Sequence, residues 1–375
     1  MYLRNQIKYI NQSIRYQYIY KLTILYSILN YIIVIIYDSY IALITVFTIL
    51  FLFRIKDSNI KILFFFLPLI KPFLIILEDP DLNKTYFASR PVIFGFRLPG
   101  PHTILKRIDN IDNSPIFYSK LNDLIFFSLI ICIFIILIIR WINIYLLYKR
   151  IAYEEKISEN DLPEVYSIIN HYAKKIAIKA PDVNLTYSNF FTPFVIGIKR
   201  TTVVLSPRLI DHLTETEMET IIQHELNHIK RKDNLISWIA LIFRDLLFFN
   251  PIAHIAYHLI KFEQEKACDK LILKSSNLGA NEIAQNIISI ILKIKELKNS
   301  QKINYLLAQN SSFTLLKMIN FKLISLRIKS IISSNPKRIH MKPFLKILTY
   351  ILFGLLLFIQ IVLIIKINNN IVFLR

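Results

Sequence analysis

The sequence predicts an α-helical multi-span membrane protein with an inserted α+β domain that bears a zinc hydrolase site. Three observations point there. Hydrophobic residues make up 54% of the 375 and the mean hydropathy is +0.45, too apolar for an ordinary soluble chain. Long apolar runs occur near both ends and again around Leu124–Leu147. Between the later two runs lies Gln223-His224-Glu225-Leu226-Asn227-His228, within strand-like and amphipathic patterning.

The first element, residues 1–21, is a basic arm with Arg4, Lys8, Arg15 and Lys21. Residues 22–77 are expected to hold two or three membrane spans. The stretch 22–53 exceeds the length needed for one crossing of about 30 Å. Asp38 and Ser39 in its middle favour two short crossings over one long tilted helix. Ile60–Leu77 contains Pro68, Lys71 and Pro72, so it is either a third crossing or a re-entrant or interfacial segment. No small-residue cleavage site follows the first apolar run, so a signal peptide does not fit. Residues 78–123 read as an extracytoplasmic loop. Residues 124–147 read as a span interrupted only by Arg140 and Asn143. Residues 148–343 form the inserted domain, 344–366 a C-terminal span and 367–375 a short tail.

Lysine and arginine near the spans set the orientation. Lys149, Arg150 and Lys156 follow the span at 124–147, and Lys337, Arg338 and Lys342 precede the last one, whereas only Lys366 and Arg375 lie beyond it. The domain at 148–343 is therefore expected in the cytoplasm and the C-terminus outside. The basic arm also favours the inside, and Glu78, Asp79 and Asp81 suit the outer side. That combination needs an odd number of crossings before residue 78, which points to Ile60–Leu77 as a crossing if 22–53 holds two.

The inserted domain carries the chemistry. His224 and His228 stand four apart, one turn above each other on a helix, so both imidazoles can reach one ion. Glu225, beside the first, is placed to take a proton from a water activated there. The pattern alone has only moderate specificity, and its flanks strengthen it. Thr214 with Glu217 predicts a capping box, and Leu213 with Met218 a hydrophobic staple. Met218, Ile221, Ile222, Leu226 and Ile229 recur at helical spacing, and Lys230, Arg231 and Lys232 suit a last turn. The competing view is a surface helix with two incidental histidines.

Catalytic zinc keeps three protein donors and one open position, so a third donor must come from elsewhere. Asn250-Pro251 opens a second helical stretch that reaches Glu263-Gln264-Glu265-Lys266-Ala267-Cys268-Asp269. Glu265 and Asp269 are one turn apart, so Glu265 can ligate while Asp269 supports a histidine. Glu263 faces elsewhere and is the weaker candidate, and Cys268 reads as a small buried thiol. His254 and His258 form another four-apart pair without a glutamate between them. A packed pair is the plainer account, with His254 a candidate oxyanion stabiliser. Upstream, Phe194–Leu205 reads as two β-branched runs around a turn at Gly197, followed by a short helix opened by Ser206-Pro207. A strand there could offer an edge to an extended peptide.

Taken together, Thr192-Pro193-Phe194, Pro207, His224 to His228, Arg231-Lys232-Asp233, Asn250-Pro251 and Glu265 to Asp269 resemble the integral-membrane zinc peptidases of the BlaR/MecR type. The resemblance covers roughly 149–343 and the flanking spans. It implies a gluzincin-like zinc peptidase domain facing the cytoplasm of a bacterial cell (inner) membrane, with His224, His228 and Glu265 holding Zn2+. Glu225 would be the general base and Asp269 a supporting residue. The family's simpler topology would put the N-terminus outside. Its best-known members carry a penicillin-binding sensor after the last span. This chain ends at Arg375, about nine residues past its final apolar run, so no such sensor, and no antibiotic sensing, is expected.

The implied function is hydrolysis of peptide bonds in a regulatory protein, such as a transcriptional repressor, during signal transduction. The alternatives are an HtpX- or CAAX-protease-like zinc endopeptidase for quality control or precursor processing, and a non-catalytic zinc-binding sensor or scaffold. Glu225 speaks against the last, because a structural site needs no base. The net charge of +20 is spread over the arm, span flanks and helix ends. It suits a lipid bilayer partner, and no nucleic acid partner is expected. The two cysteines, Cys132 and Cys268, provide no disulfide framework. Lys298–Ser312, rich in Asn, Ser and Gln, is expected as a loop or lid.

Overall fold

The computed structural model describes residues 35–76, 131–146, 155–187, 191–302, 313–333 and 347–355, with a few isolated positions beside them. Among these, α1 (Ile35–Leu52) is the one helix long and apolar enough to cross a membrane. The break expected at Asp38 and Ser39 is absent, for both lie inside this helix. Two contacts hold them inside the helix: Lys71 pairs with Asp38 Oδ1, and the Asn250 amide donates to Ser39 Oγ at 2.7 Å. The first part of the 22–53 stretch lies outside the described residues.

The segment expected as a third crossing or a re-entrant or interfacial stretch holds two short helices, α2 (Ser58–Phe65) and α3 (Leu67–Ile76). The Asp57 carboxylate caps α2 by accepting the Asn59 N–H at 2.8 Å, and α3 accommodates Pro72. At 1.5 Å per residue each reaches only about 15 Å, half of a hydrocarbon core. Of the loop expected at 78–123, the structure describes a two-residue hairpin, β1 (Val92–Ile93) with β2 (Phe96–Arg97). The rest lies outside the described residues. The expected span at 124–147 is helical over α4 (Ile131–Leu146). Its Trp141 Nε1 donates to Asp245 Oδ2 at 3.1 Å.

A four-stranded mixed sheet follows, in the order β3-β4-β6-β5. β3 (Glu155–Lys156) runs antiparallel to β4 (Asp182–Leu185), β4 parallel to β6 (Thr202–Leu205), and β6 antiparallel to β5 (Phe194–Ile196). The helix α5 (Pro163–Lys175) lies in sequence between β3 and β4. The expected glycine turn joins β5 to β6. Gly197 has φ +89°, and a Cβ there would collide with the Arg200 carbonyl, so only glycine fits. β5 is therefore a sheet edge.

Helices complete the chain: α6 (Pro207–Ile210), α7 (Glu215–Arg231), α8 (Asp233–Leu246), α9 (Pro251–Ser275), α10 (Ala280–Lys302) and α11 (Phe313–Ile332). Residues 347–355 are also helical, and the remainder of the expected C-terminal span lies outside the described residues, save for isolated positions. The lid expected at Lys298–Ser312 is instead helical through Lys302, with 303–312 outside the described residues.

The capping box of α7 forms as the spacing requires. Thr214 Oγ1 accepts the Glu217 N–H, and Glu217 Oε2 accepts the Thr214 N–H at 2.8 Å. Lys293 on α10 then donates to the same carboxylate at 2.6 Å. Thr214→Ala is expected to destabilise the fold by about 1 kcal/mol, as read by denaturant unfolding.

Among the described residues, packing divides into three cores. One gathers Ile60, Phe64 and Leu67 from the N-terminal helices with Ala240, Ala253, Ala256 and Ile260 from α8 and α9. A second places Val183, Val203 and Leu205 of the sheet against Ile169 of α5 and Ile222 and Leu226 of α7. The third joins Ile272 of α9 to Ile283 and Ile287 of α10 and Ile331 of α11. The helix α9 thus belongs to both outer cores, and α7 crosses it.

Candidate metal centre

Where α7 crosses α9, three side chains converge. His224 Nε2 lies 3.2 Å from Glu265 Oε2, His228 Nε2 lies 3.5 Å from Glu265 Oε1, and the two Nε2 atoms are 3.2 Å apart. Periodicity explains the pair on α7, since residues four apart share a face. Only the packing of α9 brings Glu265 to it.

The other ring nitrogens are held from behind. His224 Nδ1 is 3.1 Å from Asp269 Oδ1, and His228 Nδ1 is 2.8 Å from Asp233 Oδ2. Both carboxylates are buried. When each Nδ1 donates its proton to its carboxylate, both Nε2 atoms present lone pairs toward one point that Glu265 also faces. Three acceptors aimed at one another suit a cation, and these three residues form a group able to hold a metal ion.

Local backbone geometry places Asp233. Lys232 ends α7 in the left-handed region at φ 56° and its N–H bonds back to the His228 and Ile229 carbonyls. This sharp turn starts α8 one residue later, so the Asp233 side chain returns to His228. A non-glycine residue pays about 1–2 kcal/mol for that conformation. The next residue, Asn234, donates through Nδ2 to the Val195 and Gly197 carbonyls at 3.0 and 3.1 Å, fastening edge strand β5 beside α7 and α8.

Charge in the site is strongly coupled. Burial alone would lower the His224 imidazole, yet the Asp269 and Glu265 carboxylates outweigh it and raise it to about 9. His228 is likewise raised against burial, by Cys268 and Asp233. Burial would raise the Glu265 carboxyl, but the two imidazoles hold it well below the ordinary range. Glu225 is buried, and burial outweighs His228 and His224 to keep its carboxyl raised. A raised carboxylate is the better proton acceptor near neutral pH.

The sequence missed Arg327. From α11 it donates through Nε and Nη2 to both Asp269 oxygens at 2.8 Å each, while Nη1 stands 3.2 Å from Glu265 Oε2. No spacing signal could link Arg327 to Asp269 across 58 residues. Cys268 is a buried thiol as expected, and burial pushes it up to about 12. Its Sγ lies 3.3 Å from His228 Nδ1, beside the metal-competent group.

Other expected residues lie apart. Glu263 accepts the Ser58 hydroxyl at 2.7 Å and pairs with Lys61 at 3.3 Å, on the face of α9 turned to α2. The structure does not bring His254 to the cluster as an oxyanion stabiliser. Its Nε2 lies 3.1 Å from the Phe248 carbonyl, and it sits near the opposite end of α9, about 16 Å from Glu265 along the helix. Neither His254 nor His258 joins a metal-competent group among the described residues.

The sequence is similar to several known proteins. The methicillin resistance mecR1 protein of Staphylococcus aureus is 26% identical over 206 residues, 55% of this chain and 34% of that one. The regulatory protein BlaR1 of Bacillus licheniformis is 28% identical over 134 residues, 36% of this chain and 21% of that one. A protease HtpX homolog of Thermodesulfovibrio yellowstonii is 35% identical over 88 residues, covering 23% and 31%. The chain thus spans about a third or less of the length of these curated relatives. The family model described as BlaR1 peptidase M56 matches residues 102–318, more than half of the chain. This chain belongs to the BlaR1 peptidase M56 family.

Proposed function

We propose that this chain is a membrane-embedded zinc endopeptidase that hydrolyses peptide bonds of a regulatory protein in signal transduction. The observation that carries the proposal is the convergence of His224 Nε2, His228 Nε2 and a Glu265 carboxylate oxygen, with Glu225 beside them. Two imidazoles and one carboxylate are the donor set of a catalytic zinc with an open position. Bound zinc would supply Lewis acidity to the scissile carbonyl and lower the pKa of water. Glu225 takes the proton of the attacking water and returns it to the leaving amine. Asp269 and Asp233 hold the imidazoles in the tautomer that leaves Nε2 free, and Arg327 holds Asp269.

We place the chain in the bacterial cell membrane as a multi-pass protein, with residues 148–343 in the cytoplasm. The apolar α1 and the lysine and arginine distribution support that placement. A peptide substrate would approach edge strand β5, on which Asn234 already occupies two carbonyls. Similarity to a protein named as regulatory, BlaR1, supports a regulatory role for the cleavage. Similarity to a protease HtpX homolog supports the second reading, an HtpX-like endopeptidase, for which we propose quality control or precursor processing.

Metal analysis of the purified chain tests the site. One zinc per chain is expected, lost in His224→Ala and Glu265→Ala and retained in Glu263→Ala. Full zinc in the Glu265 variant would overturn its assignment. Zinc affinity should also depend on pH. His224 stands at about 9 without the ion, so uptake near neutral pH must displace a proton. Apparent affinity is expected to fall as pH is lowered from 9 to 6, by about tenfold per unit for each imidazole proton displaced. Chelator competition between pH 6 and pH 9 would reveal it, and a flat profile would refute the proton displacement.

A further inference from the structure

We propose that the cleft at the end of α1 binds one anionic phospholipid, an inference that rests on the membrane placement above. The cleft measures about 400 Å³, a size typical of small-ligand sites. Its walls come from α1, α2, α9 and α11. Phe47 and Phe51 of α1, Phe65 of α2 and Phe262 of α9 make them apolar. Phe51 is 85% exposed and Phe47 47%, so the apolar wall continues onto the open flank of the helix that would cross the bilayer.

The polar rim has the opposite character. Lys61 and Lys266 both reach Glu263 Oε1, at 3.3 and 3.6 Å, and that carboxylate also accepts the Ser58 hydroxyl. Two ammonium groups on one carboxylate leave net positive charge at the rim. Lys270, one turn further along α9, feels the charges of Lys266, Lys61, Glu263 and Asp57, so three ammonium groups stand against two carboxylates. Arg54 and Lys56 stand exposed in the short link between α1 and α2. Basic groups clustered where a span leaves the hydrocarbon, above an apolar slot, match a phosphate headgroup above an acyl chain. Leu326 lines the cleft next to Arg327, and Glu263 lies two residues before Glu265. A lipid in the slot would brace both helices that carry the Arg327 contact to Glu265 and Asp269.

Native mass spectrometry of the full chain, released from bilayers of equal phosphatidylglycerol and phosphatidylcholine, tests this. The unaltered chain should retain one lipid, with the anionic species favoured by about tenfold. In the K61Q/K266Q double variant the preference should fall to near parity. Equal retention of both lipids by the unaltered chain would overturn the proposal without reliance on any variant. An undiminished preference in the double variant would overturn the location. Displacement of the lipid by millimolar glycerol phosphate would show a free phosphate site instead. Extraction of the chain from membranes by alkaline carbonate would overturn the membrane placement itself, whereas tight membrane retention without lipid preference would overturn this inference alone.

Discussion

Glu225→Gln is expected to abolish cleavage while leaving the metal in place. The carboxamide is nearly isosteric with the carboxylate, so the buried position on α7 tolerates it. It cannot accept the proton of the attacking water, and loss of a general base costs about 10²–10⁴-fold in rate. The raised carboxyl of Glu225, caused by its burial, is the property the amide removes. Comparing membrane proteomes of cells carrying the native chain or this variant would measure the effect directly, since uncut substrates accumulate. Normal processing together with full zinc would show that Glu225 is not the base. Loss of zinc would instead show that it helps to hold the ion.

Arg327→Met is expected to damage both stability and metal binding. Asp269 is completely buried, and Arg327 donates to both of its oxygens. Removing one partner of such a pair costs about 3–5 kcal/mol, because the remaining charge is left buried and unpaired. Asp269 also orients His224, so zinc affinity should fall by about 10–100-fold. Arg327→Lys should rescue little, since an ammonium group cannot reproduce the two-pronged contact. Combining Arg327→Met with Asp269→Asn should recover part of the unfolding free energy but not the zinc affinity. An unchanged unfolding midpoint and unchanged zinc content in Arg327→Met would show the contact to be dispensable.

Much of the site was legible in sequence because helical periodicity is short-range. His224 and His228 share a face by spacing alone, as do Glu265 and Asp269, and Thr214 with Glu217 announced the start of α7. The β5–β6 turn was legible because Gly197 needs a backbone conformation that other residues avoid. The mistakes occurred where a polar residue had an unseen partner. Asp38 and Ser39 looked like a break in an apolar run, yet Lys71 pairs with one and Asn250 bonds the other within a continuous helix. Lys298–Lys302 looked like loop by composition, yet it extends α10.

Sequence alone therefore determined the apolar character of the chain, the motif helix with its cap, and the identity of the atoms that could bind an ion. Tertiary structure alone decided that Glu265 meets both imidazoles, that Asp233 turns back onto His228, and that Arg327 arrives from α11 to neutralise Asp269. The division has a physical cause. Periodicity and capping act within a few residues, whereas contacts between α7, α9 and α11 depend on how buried surfaces pack, which no local pattern encodes.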